Sequence, residues 1–299
     1  MRQGLIYAVG AYVIWGLLPL YWKWFDELPA GEILSHRVIW SFVFVGALIT
    51  FQRKWKVIRG LLGNWSSLRT LIISGLLISL NWLIFIWAVN NGHAIQTSLG
   101  YYLTPLINVA LAIAFLREKP TGGQWVAIAL AGAGVLLVAI DYGSFPWVSI
   151  TLAVSFGLYG LVKKRMKLDA TEGLFVETAV VVPIALIYWL SLGVSHDAQA
   201  WSMSAGSIVL LLFAGVATAI PLLLFAKAAA RISFSTLGFV QYIGPTITLL
   251  LSIFVFKETV TPVLLISLSL IWTALVVYAL ASMQSAKALK TAEPASARG

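Results

Sequence analysis

Apolar residues in this chain show neither the alternation of a half-buried strand nor the three-and-four spacing of a surface helix. They come in long runs that are apolar on every side. Ten such runs lie near 4–22, 33–51, 70–89, 96–116, 122–140, 145–162, 174–193, 207–226, 234–256 and 263–282. Each approaches the roughly 20 residues an α-helix needs to cross a bilayer core. The pattern predicts an all-α integral membrane protein of ten transmembrane helices, followed by a polar tail over 283–299. The first run flows into Tyr21, Trp22, Trp24 and Phe25 without a small-residue cleavage site, and is read as an uncleaved helix.

The runs also repeat. "YYLTPLINVALAIAFLRE" (101–118) and "QYIGPTITLLLSIFVFKE" (241–258) share a tyrosine three residues before a proline, an isoleucine two after it, and a basic residue with a glutamate at the close. The same offset of 140 pairs Lys23 with Lys163, Glu32 with Glu172, Phe85 with Phe225, and Tyr102 with Tyr242. The chain therefore reads as a tandem duplication, residues 1–141 and 142–282. Five spans is an odd number, so the second copy enters from the opposite side and the halves are inverted about an axis in the membrane plane. Inverted repeats are the architecture of secondary transporters, with the substrate site between the halves near the midplane. A duplicated channel or scaffold shares that symmetry and stands as the alternative.

Composition agrees: 60% of the 299 residues are hydrophobic and 10% charged, against about 45–50% and about 25% in soluble domains. Little chain is left for a soluble catalytic domain. With the N-terminus in the cytoplasm, all of the 20 Lys and Arg except Lys23, Arg37 and Lys257 fall on the cytoplasmic side, a positive-inside bias that predicts cytoplasmic termini. The net charge of +9 thus reports orientation, with no nucleic-acid partner implied. Basic loops at 52–59 and 163–167 could also meet anionic lipid heads. The absence of cysteine excludes disulfides and thiolate metal sites. No metal-ligand cluster and no phosphate-binding glycine loop is present, so no metal or cofactor is expected.

Helical spacing places Tyr101, Pro105 and Asn108 on one face of the fourth span, and Gln241, Pro245 and Thr248 on the matching face of the ninth. Each proline frees the carbonyl four residues earlier, a helix break tolerated where protein or a water-lined path satisfies it. Tyr12 and Trp15 on the first span, Asn81 and Trp82 on the third, and Tyr159 on the sixth add polar-edged aromatic clusters. Tyr102 and Tyr242 flank the prolines. Two readings stand for this set: a substrate cavity for amphipathic organic solutes, or hydrogen-bonded and aromatic packing between helices. Charge inside spans is scarce. Glu177, about one turn into the seventh span, and the Glu32/His36 pair beside Arg37 are candidates for coupling or gating with protons. The competing assignment is an interfacial ion pair, Glu177 with Lys163 or Lys164 and Glu32 with Arg37.

"VIWGLLPLYWKW" (13–24), "EILSHRVIWS" (32–41), "NWLIFIWAVN" (81–90), "SLGYYLTPL" (98–106) and "LGFVQYIGPT" (237–246) resemble the RarD branch of the EamA family in the drug/metabolite transporter superfamily, over nearly the whole chain. The resemblance implies two inverted five-helix EamA repeats in a bacterial inner membrane, exporting small metabolites, with a cavity lined by spans one, three, four, six, eight and nine. Thr104 stands where the branch often has asparagine, and Tyr101–Tyr102 where it often has tyrosine-phenylalanine. The function expected is a secondary transporter of small polar or amphipathic metabolites, its partners being that solute, membrane lipid and coupling protons. A membrane enzyme on lipid or isoprenoid substrates and a passive facilitator are the alternatives.

Overall fold

The computed structural model describes residues 2–25, 27–91, 93–143, 145–166, 168–195, 199–255 and 261–292. Among them the chain is helical, with α1 (Arg2–Trp22), α2 (Ala30–Phe51), α3 (Trp55–Gly63), α4 (Trp65–Asn90), α5 (Ala94–Leu116), α6 (Gly122–Asp141), α7 (Trp147–Arg165), α8 (Ala170–Val194), α9 (Ala205–Ala229), α10 (Phe234–Gln241), α11 (Ile243–Phe254) and α12 (Pro262–Ala292). Short 3-10 turns cover Lys23–Phe25 and Ala200–Ser202.

Nine segments among the described residues are long and apolar enough to cross a membrane, α10 and α11 counting as one. Of the helices of 18 residues or more the one left out is α7, which carries Ser149, Thr151, Ser155 and a Lys163–Arg165 end. Its polar residues are tolerated because it is packed inside the bundle: Ser149, Ser155, Tyr159 and Lys163 are all buried. The count of ten spans rests on this helix.

Helix starts are written into the sequence chiefly at one face. Asn64, Asp169 and Ser233 accept from backbone N–H groups of α4, α8 and α10, and Thr121 forms a reciprocal capping box with Gln124 on α6. Each satisfies amides that have no intrahelical partner. The ends of α2, α5 and α7 and the starts of these capped helices share this face. It is called the basic face below, since it also carries most of the lysines and arginines.

Four expectations change here. The basic loop at 52–59 contains the start of α3, whose Ile58 and Leu61 are buried while Lys56 and Arg59 point outward. Residues 163–165 belong to α7, and the tail is helical as far as Ala292. Pro105 does not break its helix: α5 is continuous across it, pressed on α7, where a Cβ at Gly100 would stand 3.3 Å from Ser149 O. The interruption occurs only in the second copy, at Tyr242 between α10 and α11, three residues before Pro245.

Contacts between the halves occur in exchangeable sets. α2 packs on α8; α2 on α9 as α4 on α8; α1 on α9 as α4 on α7; α1 on α10 and α11 as α5 on α7; and α6 on α12. Each pairing maps onto another, or onto itself, when the copies are swapped. The two crossings of the second set rest on glycines 140 residues apart. A Cβ at Gly75 would come 3.1 Å from Glu177 O, and one at Gly215 would come 2.1 Å from the Trp40 carbonyl carbon. Small residues let membrane helices approach backbone to backbone.

Candidate functional site

The core between the copies is sealed toward the basic face by rings. Tyr12 and Trp15 of α1 meet Phe156 and Tyr159 of α7 and Phe225 of α9, with centroids 5.3–6.4 Å apart. Tyr12, Tyr159 and Phe225 are fully buried. A second seam joins α5 to α10. Asn108 Nδ2 donates to Gln241 Oε1 at 2.9 Å, and the Tyr242 hydroxyl donates to the Tyr102 carbonyl at 3.2 Å. Tyr102 and Tyr242 stand 140 residues apart, at matching positions of the sequence repeat. Asn81 is occupied otherwise, its amide donating to Leu152 O and Ser155 Oγ and bridging α4 to α7.

Beneath the ring cluster lies a buried ion pair. Lys163 Nζ is 2.6 Å from Glu177 Oε1, which also accepts from Ser74 Oγ at 2.5 Å. The Lys163 ammonium stands 5.4 Å from the Tyr159 ring centre. The Glu177 and Lys163 side chains are 1% and 4% exposed, so this pair is internal and does not lie at the interface. Because α8 begins at Ala170, Glu177 is about two turns deep. Its Oε2 has no partner among the described residues. A small cavity of about 10 Å³, bordered by Glu177, Thr178, Tyr159 and Trp82, adjoins it.

The half away from the basic face has a surface hollow of about 620 Å³ beside Trp24, Ser204 and Leu210. Arg37, about two turns into α2, has its guanidinium 4.7 Å from the Trp22 ring centre and 5.5 Å from that of Trp82. Its Nε donates to Thr218 Oγ1 of α9 at 3.1 Å. Tyr101 packs on Phe85 at 6.1 Å and keeps 50% of its surface exposed. Trp82 thus has Arg37 against its ring while also bordering the cavity beside Glu177.

Glu32 does not pair with Arg37. Its carboxylate accepts from the backbone N–H groups of Gln199 and Ala200 at 3.1 and 3.0 Å, because those amides open a 3-10 turn with no other cap. Glu118 does the same at the basic face, accepting from Phe234 N and Ser235 N at 2.7 and 3.1 Å. Each carboxylate ties the first copy to the second. His36 Nδ1 accepts from Trp40 Nε1 at 3.1 Å, and its buried Nε2 has no partner among the described residues.

Most of the aromatic and polar residues expected in a cavity therefore fall into three groups: the ring seal, the Asn108–Gln241 seam, and the Arg37 recess. Trp22, Thr218, Ser74 and Phe156 were missing from the sequence-level set. Thr218 carried a usable signal, as a hydroxyl amid the apolar run "GVATAIPLLL" (215–224).

The family model for the EamA-like transporter family matches residues 2–140 and 146–280. The chain belongs to the EamA-like transporter family. Within it the chain groups with the RarD branch: it is 41% identical to Protein RarD of Escherichia coli (strain K12), over 93% of this chain and 94% of that one. It is 46% identical to the uncharacterized transporter YojE of Bacillus subtilis (strain 168), over 97% and 98%. A crystal structure at 17% identity superposes with a TM-score of 0.71, over 95% of this chain and 99% of its own, and supports the fold alone. The EamA protein described here is a multi-pass membrane transporter of the drug/metabolite type.

Proposed function

We propose that this EamA transporter is a secondary transporter that exports small polar or amphipathic metabolites by alternating access, and that it carries out no chemistry on them. The observation that carries this reading is the exchange symmetry of the packing. If the two copies trade conformations, a bundle closed at one face becomes a bundle closed at the other. The basic face is cytoplasmic in this reading, by the positive-inside bias, with both termini inside a bacterial inner membrane and α7 as the tenth span. The arrangement described above then corresponds to an outward-facing state, closed inside by the ring cluster and the Asn108–Gln241 seam.

Buried polar atoms favour a closed path over permanent packing. Tyr12 OH, Asn108 Oδ1 and Glu177 Oε2 have no partners among the described residues. Each such group costs about 1–3 kcal/mol, which is relieved when the path opens. Glu177 is the coupling candidate: taking up a proton would release Lys163 and loosen α8 from α7. Bundle lipid and a small-molecule solute are the partners this requires.

The test is flux of radiolabelled amino acids, nucleosides and sugars into proteoliposomes. The cysteine-free chain carries an Asn108→Cys/Gln241→Cys pair across the seam. Saturable exchange that stops on oxidation and returns on reduction is expected. Linear, non-saturating flux indifferent to the cross-link would instead identify a passive facilitator.

A further inference from the structure

Arg37 is a cation inside a membrane span that no described carboxylate neutralises. Among the described residues no carboxylate lies within ion-pair distance of its guanidinium, and the hydrogen bond found for it is the one from Nε to Thr218. Arg37 is only partly buried, so its charge is not sealed into the core. Intramembrane charges ordinarily pair with each other or serve a ligand path.

The duplication sharpens the point. The offset of 140 takes Arg37 to Glu177 and Lys23 to Lys163. In the second copy the two positions form a closed, charge-neutral pair at 2.6 Å. In the first copy the equivalent position of the acid holds arginine. The first copy thus presents positive charge where its twin supplies its own carboxylate.

We propose that the Arg37 recess is the recognition site for the anionic group, a carboxylate or a similar oxyanion, of an organic solute. The inference rests on the transport reading above and names its substrate class. Thr218 holds Nε, which fixes the plane of the guanidinium and leaves its outer edge as a two-pronged donor matched to an oxyanion. Trp22 and Trp82 bracket the cation, and the half-exposed Tyr101 lies within electrostatic reach of it. The ligand that fits carries an oxyanion at one end and an apolar or aromatic body at the other. An organic amine would meet Arg37 as a like charge and is disfavoured.

The test uses the full-length protein reconstituted in phosphatidylcholine nanodiscs. Three probes share one ring and differ in charge: indole-3-acetate, indole-3-acetamide and tryptamine. Phenylacetate and phenylacetamide form a second matched pair. Binding is read by calorimetry, and flux of the same probes is read in proteoliposomes. The carboxylates should bind at least about tenfold tighter than their amides. Arg37→Gln should weaken carboxylate binding by about 10- to 100-fold, in the range for a charged hydrogen-bond partner, while leaving amide binding within about threefold.

Equal affinity for carboxylate and amide, preference for tryptamine, or no saturable carboxylate binding overturns the proposal. The charge preference is measured on the unsubstituted protein, so it decides the matter even if Arg37→Gln fails to fold. Adding phosphatidylglycerol distinguishes the source of the oxyanion. Competition that weakens carboxylate binding assigns the recess to a lipid headgroup, and indifference assigns it to a soluble solute. Carboxylate binding without flux would uphold the site and remove the transport reading. Saturable flux of amides and amines that ignores Arg37 would do the reverse.

Discussion

Replacing Glu177 with leucine should destabilise the protein more than any other single change at a charged residue in the bundle. The substitution strands the Lys163 ammonium, only 4% exposed, without the carboxylate 2.6 Å away. At that distance and an effective dielectric of about 20, the attraction is about 6 kcal/mol. That is a ceiling, since the Tyr159 ring 5.4 Å from Nζ remains and the acid no longer has to be desolvated. Breaking a buried pair by removing one partner ordinarily costs about 3–5 kcal/mol, which is the loss expected here. For a chain of this size each kcal/mol moves Tm by about 2 °C, so Glu177→Leu should unfold roughly 6–10 °C lower in a detergent thermal scan. Lys163→Met/Glu177→Leu removes both charges and should return to within about 1–2 kcal/mol of the parent. A Glu177→Leu shift under about 2 °C, or a double variant no better than the single, would refute the reasoning that the pair is closed and water-free.

Three further outcomes follow from the geometry. Gly215→Ala places a Cβ 2.1 Å from backbone at Trp40 and should lose most correctly folded material in size-exclusion chromatography, whereas Gly132→Ala, which meets nothing within 4 Å, should elute as the parent does. Asn81→Ala removes two bonds between α4 and α7 and should cost about 0.6–1.7 kcal/mol, the span for such bonds in membranes; a larger fall in Tm would mean that Asn81 does more than join helices. At the basic face, burial works against the charge of Asp169, but the Thr171 amide and Lys54 outweigh it and hold the carboxyl below its ordinary value. Its stabilising contribution is therefore present above the usual aspartate pKa of about 3.9 and lost as pH falls through the lower folded value. Burial likewise opposes the Lys54 charge, and its hydrogen bonds to Glu172 and Asp169 raise it, so its contribution holds below the ordinary lysine value and fades as pH rises through the folded one. Thermal scans across pH should show Asp169→Asn flattening the acid limb; an unchanged limb would count against the interaction.

The span pattern and the repeat were legible because both depend only on residue type along the chain. Hydropathy reads composition and cannot read neighbours, and the corrections follow from that. Lys163 looked like a loop cation because lysine ends apolar runs; in the fold it is drawn inward by Glu177, whose carboxylate Ser74 also holds. α7 sits among partners that satisfy its serines, so its sequence is the least membrane-like of the spanning set. The two prolines looked equivalent, yet only the second copy breaks. Glu32 had an obvious cation five residues on and instead caps a turn in the other copy, a partner separated by |i−j| = 167 from it. No local pattern encodes that choice.

Trp82 is bordered by Arg37 in the open recess and by the cavity next to Glu177 in the closed half. The partition between the two compartments is thus, at this point, a single indole thick. One side-chain rotamer change, on the time scale of side-chain flips rather than of domain motion, would join Arg37 to a cavity of about 10 Å³, room for about one water, while the ring cluster still closes the way to the basic face. Whether the Glu177 carboxylate stays dry therefore depends on how firmly one ring is held.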